Sequence, residues 1–312
     1  MTRFVAGCEV HALPPCVATI GFFDGVHLGH RHLIEQVCEV ARVRNLASAL
    51  ITFRSHPRQV LHPDSPICLL STPQEKAEAL ASTGVDWCVT LDFTPELAGM
   101  PARRFMDEVL RQRIGVRTLV IGYDHRFGYG RADSFDDYVR FGRDMGMEVL
   151  RANELQKEGV HVSSSTIRRL LLQGEVAEAA QALGRMYSLE GVVVRGRQVG
   201  RTIGFPTANL QPVCPEKLVP ADGVYAVRVQ LENETYGGML DIGLRPTFDN
   251  GNDRSIEVHL LDFLGDLYGR VVRVDFVRRI RANVRFDSPA SLVAQLQKDE
   301  TVVRRVLTQN GH

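Results

Sequence analysis

Over the first half of the chain, short apolar runs alternate with stretches of helical spacing. Residues 16–23, CVATIGFF, run into Asp24, and residues 29–45 then set Leu33, Ile34, Val37, Val40 and Ala41 at helical intervals. That pattern predicts strand, turn, helix. ALITF at 49–53 follows soon after Asn45 and completes a strand-helix-strand unit, the building block of a parallel sheet. The alternation continues with a helix over 73–83, the strand WCVTL at 87–91, a helix over 101–113, TLVIG at 118–122, a helix over 134–145 and MEVLR at 147–151. The expectation is a doubly wound, Rossmann-like α/β domain, whose ligands sit beyond the carboxyl ends of the strands. Two stretches fall at such ends: GFFDGVHLGH at 21–30 and GYDHRFG at 122–128.

After helical segments at 165–172 and 175–183 the texture changes. LEGVVVRG, GVYAVRVQL, YGGMLDIG, SIEVHLLDF and VVRVDFV are short alternating strands punctuated by glycine, which predicts an antiparallel β-barrel. A boundary near Gly184 follows, giving domains 1–184 and 185–312, with a last amphipathic helix over 289–307 carrying Leu292, Leu296, Val303 and Leu307 across the barrel.

A length of 312 residues agrees with two domains. The 37 basic residues balance 37 acidic ones, so no global field draws a nucleic acid or an anionic membrane; what remains open is a local anion pocket. Cys8, Cys16, Cys38, Cys68, Cys88 and Cys214 show no C-x-x-C spacing and no signal peptide precedes them, which reads as reduced thiols in a cytoplasmic protein. No apolar stretch reaches the roughly 18 residues that span a bilayer. Oligomeric state is not legible.

In GFFDGVHLGH, Gly21 and Gly29 permit close backbone approach, the helix that follows offers free N–H groups and a positive dipole end, and His27 and His30 fall on its first turn. Such a turn suits a triphosphate, with the imidazoles donating to charge that develops on an α-phosphate. Two other readings stand beside it: His27, His30 and His32, with or without His56, as metal ligands, or plain surface histidines. VSSSTIR at 162–168 opens a helix whose Ser164 and Arg168 suit a phosphate, or simply cap an ordinary helix. Farther on, Gly196, Gly200 and Gly204 recur at four-residue intervals before Pro206-Thr207-Ala208-Asn209. A glycine flap can close over phosphates, with Thr207 and Asn209 as oxygen ligands of Mg²⁺; a ligand-free hairpin is the other reading. In SIEVHLLDF, Ile256, Val258 and Leu260 alternate with Glu257, His259 and Leu261, and Glu257 is either a solvated strand residue or a general base.

The H-x-G-H turn followed by a serine-rich, arginine-bearing helix start resembles the nucleotidyltransferase superfamily. TIGFFDGVHLGH, TFRSHP, GVDWCVTLDF, GYDHRFG and VSSSTIR, in this order, resemble the adenylyltransferase module of bacterial FAD synthetases. GFPTAN, DIGLRPTF, IEVHLLDF with DLYG, and QLQKDETVVRRVL resemble the riboflavin kinase module of the same family. The resemblance implies phosphorylation of riboflavin to FMN and adenylylation of FMN to FAD, with ATP and Mg²⁺ in both steps. It implies His27 and His30 at the reacting phosphates, Ser164 and Arg168 on the nucleotide phosphates, and Asp24 and Asp124 lining the site, Asp24 toward the nucleotide and Asp124 toward the flavin. It also implies Thr207 and Asn209 on Mg²⁺-ATP and Glu257 as the base that takes the ribityl 5′-hydroxyl proton. His125 stands where the pattern leads one to expect phenylalanine, Ser165 where threonine is expected, and TFRSHP lacks a Glu-Pro pair before His56. His125 motivates a second reading, a kinase whose first domain is silent or repurposed; a nucleotide-sensing or RNA-binding protein is disfavoured by the balanced charge.

Overall fold

A computed structural model describes residues 1–7, 13–61, 64, 67–155, 162–196, 200, 203–244 and 254–309. They fall into two compact units, Met1–Ser163 and Ser164–His312, so Gly184 lies within the second.

The first unit carries strands β1 (Arg3–Ala6), β2 (Cys16–Ile20), β3 (Ala47–Phe53), β4 (Trp87–Leu91), β5 (Val116–Ile121) and β6 (Glu148–Arg151). They pair in parallel in the order β1-β4-β3-β2-β5-β6. β2 is buried at every position, as a central parallel strand covered on both faces must be, which is why it reads as an unbroken apolar run. Helix α1 (Leu28–Arg44) covers one face with Val37 and Ala41 against Val17 and Val120. Met106 and Leu110 pack on the other face against the cluster holding Ile51, Val89 and Ile121. Helices α2 (Pro73–Ala81) and α3 (Phe135–Met145) both begin with a capping box, Thr72 with Glu75 and Ser134 with Asp137. The segment expected as one helix over 101–113 starts as α-helix at Ala102–Arg104 and widens to π form over Phe105–Ile114. The chain progresses from β2 to β3 on one side and returns to β5 on the other, so the switch point of the sheet lies between β2 and β5.

The second unit opens with α4 (Ser164–Gln173) and α5 (Val176–Leu183). Strands β7 (Tyr187–Val194), β8 (Ala208–Pro212), β9 (Gly223–Leu231), β10 (Glu234–Leu244), β11 (Arg254–Leu260) and β12 (Val271–Arg281) close a barrel in the order β10-β11-β8-β7-β12-β9. Tyr225, Val227, Leu240, Val258, Val274 and Phe276 fill its interior and are all fully buried. Alternate residues point outward, and α6 (Pro289–Gln309) lies across part of that outer face. There Leu296, Val303, Val306 and Leu307 pack on Phe205, Val224, Ala226, Met239 and Leu261. Each fully buried valine contributes on the order of 2 kcal/mol. Arg281 bonds the buried Asp299 at 2.8 Å and Arg304 grips Asp262 through two bonds of 2.7 and 2.8 Å, fastening the helix at two points.

Candidate active sites

Both stretches singled out at strand ends converge on the switch point, because GFFDGVHLGH leaves β2 and GYDHRFG leaves β5. The first turn is held in an uncommon backbone: Phe23, Gly25 and Val26 all have positive φ, 57°, 81° and 40°. For glycine this is free, but for the aromatic and the β-branched residue it costs on the order of 1–3 kcal/mol each, and such strain persists only where surrounding structure enforces it. Asp24 supplies part of that enforcement. It is buried, and its carboxylate accepts from the Leu70 N–H at 3.0 Å, the Ser71 N–H at 3.2 Å and the Ser71 hydroxyl at 3.3 Å. Gly21 donates to the Ile51 carbonyl at 3.0 Å, and a side chain there would press on the ring of Phe23.

His27 is the N-cap of α1, its Nδ1 accepting from the His30 N–H at 3.3 Å. A nitrogen that accepts carries no proton, so the proton of the neutral ring sits on Nε2. His30 stacks on His27 with ring centroids 3.6 Å apart and 17° between planes, and meets the edge of Phe23 at 5.1 Å. Burial, followed by the charges of His27 and His125, holds His30 well below the ordinary imidazole range. Gly29 has a steric reason to be glycine: a Cβ there would lie 3.2 Å from His27 Nδ1 and 3.4 Å from the Val162 carbonyl oxygen. Asp124 is exposed on the turn after β5, next to His125. Ser164 and Arg168 lie in the first two turns of α4, in the second unit. Among the described residues no three His, Cys, Asp or Glu side chains are grouped to hold a metal ion, and His56 instead meets Phe22 edge-on at 4.5 Å.

One partly buried cation at the strand ends was not legible in the sequence. Lys76 of α2 reaches the strand ends, donating to the Phe53 carbonyl at 3.0 Å and the Phe22 carbonyl at 3.4 Å, with its ammonium 4.1 Å from the Phe22 ring centroid. Burial lowers it to about 8 while Asp24 opposes the shift. Its only signal would have been a lysine on the apolar side of a helix.

In the barrel, register assembles the second site. Asn209 of β8 lies opposite Glu257 of β11, and Glu257 opposite Asp241 of β10, so the three share one row on the outer face. The alternation expected at 256–260 holds: Ile256, Val258 and Leu260 are buried inside, Glu257 and His259 face out. Thr207 Oγ1 donates to Glu257 Oε2 at 3.2 Å. A Cβ on Gly196 would strike the Asn209 side chain and one on Gly200 the Phe205 carbonyl, while Gly204 turns the chain at φ 83°. Arg197, Gln198, Val199, Arg201 and Thr202 of the expected flap, and Arg245–Asn250 of DIGLRPTFDN, lie outside the described residues. Two further groups emerge. His259 bonds the Pro206 carbonyl through Nδ1 at 2.8 Å and meets Phe205 edge-on at 5.3 Å, bracing the loop that carries Thr207. Asp241 is pushed up to about 6, chiefly by burial and then by Glu257 across the ladder.

Residues 10–166 match the family described as FAD synthetase and residues 183–307 match riboflavin kinase. A bifunctional riboflavin kinase/FMN adenylyltransferase of Escherichia coli (strain K12) is 38% identical over 93% of this chain and 92% of its own. One of Pseudomonas fluorescens is 34% identical over 97% and 98%. A crystal structure from Streptococcus pneumoniae, named there a macrolide-efflux protein, superposes with a TM-score of 0.88 at 33% identity, covering 96% of this chain and 98% of its own. In this chain no described helix is long and apolar enough to cross a membrane. With both domains matched and relatives of this identity aligned over nearly its whole length, the chain belongs to the bifunctional riboflavin kinase/FMN adenylyltransferase family.

Proposed function

We propose that each half of the chain runs one of the family's two reactions through the residues assembled above, with the functional boundary at Gly184. The barrel converts riboflavin and ATP to FMN and ADP. The parallel sheet converts FMN and ATP to FAD and pyrophosphate.

On the sheet, a phosphate oxygen of FMN attacks the α-phosphate of ATP and the bond to pyrophosphate breaks. His27, with its proton on Nε2, and His30 donate to the charge that develops on the phosphates, so the reaction needs position and electrostatics and no covalent intermediate. Gly21 and Gly29 let the backbone and the His27 ring come close, and Asp24 acts by bracing the turn. Asp124 orients the flavin, and Ser164 and Arg168 hold nucleotide phosphates.

On the barrel, Glu257 takes the proton of the ribityl 5′-hydroxyl as that oxygen attacks the γ-phosphate and the bond to ADP breaks. The hydroxyl of Thr207 fixes one carboxylate oxygen of this base. Gly200 and Gly204 shape the flap over the polyphosphate. Thr207 and Asn209 present oxygen donors beside a carboxylate, in space that side chains at 196 and 200 would fill, and this donor set suits Mg²⁺. When bound, Mg²⁺ neutralises polyphosphate charge. The substrates are small molecules, the expected compartment is the cytoplasm, and neither nucleic acid nor membrane is a partner.

The observation that supports this reading is that one chain carries two unrelated scaffolds, with His27 stacked on His30 at the switch point of one and Thr207 bonded to Glu257 on the other. The test is chromatography of products after supplying riboflavin, ATP and Mg²⁺. FMN followed by FAD is expected; FMN alone would remove the sheet's role, and neither product would remove both.

A further inference from the structure

The crevice at the switch point holds a third imidazole that the reactions above leave unassigned. Past Ile121 the chain turns at once, the His125 N–H donating to the Gly122 carbonyl at 3.1 Å. A Cβ on Gly122 would lie 3.4 Å from His125 Cβ and 3.6 Å from Leu33 of α1, so the turn is seated against the helix that the histidine pair begins. On its other side His125 is backed by Phe127, centroids 6.2 Å apart, which itself stacks on Tyr138 at 4.4 Å.

Two polar atoms in this crevice are shielded from solvent and have no hydrogen-bond partner among the described residues: Nδ1 of His30 and Nδ1 of His125. Orphaned buried nitrogens are rare because each forfeits its bonds to water, and a native site that keeps two has a use for them. The electrostatics narrow that use. Burial first, and Arg131 second, depress His125 to about 4 against the opposing charge of Asp124, while His27 and His125 both depress His30. Both rings are therefore held neutral, each keeping one N–H to donate, and the guanidinium of Arg131 nearby favours an anion rich in acceptor oxygens over a cation.

We propose that His125 is a third phosphate-contacting residue of the adenylyl-transfer site, donating through Nδ1, alongside His30, to a non-bridging oxygen of the bound nucleoside triphosphate. This rests on the reading of the sheet as the adenylyltransferase. A phenylalanine at 125 keeps the ring volume and offers no donor. The asparagine amide nitrogen stands at about the same distance from the backbone as histidine Nδ1 and can donate in its place.

The experiment uses the full chain, measuring FAD and pyrophosphate from FMN, ATP and Mg²⁺, with phosphorylation of riboflavin in the same preparations as a control for folding. The proposal expects His125→Phe to raise KM for ATP about tenfold or more while KM for FMN stays within twofold, and His125→Asn to recover most of the loss. An ATP KM within twofold of wild type in His125→Phe overturns it, as does a rise confined to the KM for FMN. If His125→Phe also loses the kinase reaction, His125→Leu is compared with His125→Asn: a raised ATP KM in the leucine variant alone supports the proposal, and equal values overturn it. Wild-type protein that phosphorylates riboflavin yet forms no FAD would remove the underlying assignment of the sheet, and the proposal with it.

Discussion

The histidine turn takes its shape from topology and local strain, whereas the Thr207-Glu257 row takes its shape from strand register. At the switch point two loops meet because the sheet order reverses there, and left-handed backbone at Phe23 and Val26 is tolerated because Asp24 ties the turn to Leu70 and Ser71. On the barrel no comparable strain is needed, since pairing of β8, β11 and β10 already sets Asn209, Glu257 and Asp241 side by side. A loop-built site is therefore sensitive to single atoms that prop the turn, and a ladder-built site to the groups that project from it.

The largest expected effect separates the two reactions outright. Glu257→Gln should lower riboflavin phosphorylation about 10²–10⁴-fold, the range for removing a general base, and leave FAD formation from supplied FMN unchanged; coupled ADP release and FAD fluorescence read the two. Loss of both in folded protein would end the division of labour. Next come the props. Gly29→Ala puts a methyl 3.2 Å from His27 Nδ1 and should cut FAD formation about 100-fold, with about 1 kcal/mol lost at the cap, while riboflavin phosphorylation holds; steady-state rates and urea melts measure each part. A smaller effect is expected at His259→Phe, which keeps a ring against Phe205 but loses the bond to Pro206. One neutral hydrogen bond is worth about 1 kcal/mol, so the ATP KM of the kinase reaction should rise about five-fold with little change in kcat.

The mildest prediction concerns stability. Asp241 titrates near 6 in the folded chain and near 3.8 when unfolded, so the folded state holds the proton more tightly and stability falls as pH rises from about 4 to about 6. Above pH 6 the cost persists. Asp241→Asn should remove it, leaving the variant about 1–2 kcal/mol more stable at pH 7.5, with the gain vanishing toward pH 4 in urea melts. A gain independent of pH would place its origin in packing instead of charge.

Much of this was legible in the pattern of residues, and the gaps have physical causes. The buried parallel strands announce themselves as apolar runs, and WCVTL at 87–91 matches β4 end to end. The alternation of 256–260 told inside from outside without any fold in hand. β1 escaped notice because four residues at a sheet edge, Arg3–Ala6, carry no period and are only half-buried or exposed. β8 has no counterpart among the expected strands because ANLQP holds two amides and a proline, yet it is the strand that presents Asn209 to Glu257. Asp24 was legible as a turn residue but not as the buried acceptor of Leu70 and Ser71, a pairing 46 residues away in sequence. Lys76 and His259 act through backbone carbonyls, which leave no trace in side-chain spacing.

The helix α6 covers Phe205, the residue two before Thr207, and is fastened by Asp299 and Arg304. During synthesis those residues are added some 100 positions after the loop they steady, whereas every strand of the sheet has been made by Arg151. The strands of the sheet are thus complete while the clamp on the Thr207 loop is still to be made, so the ladder that carries Asn209, Glu257 and Asp241 is steadied only after the barrel's own strands have been laid down.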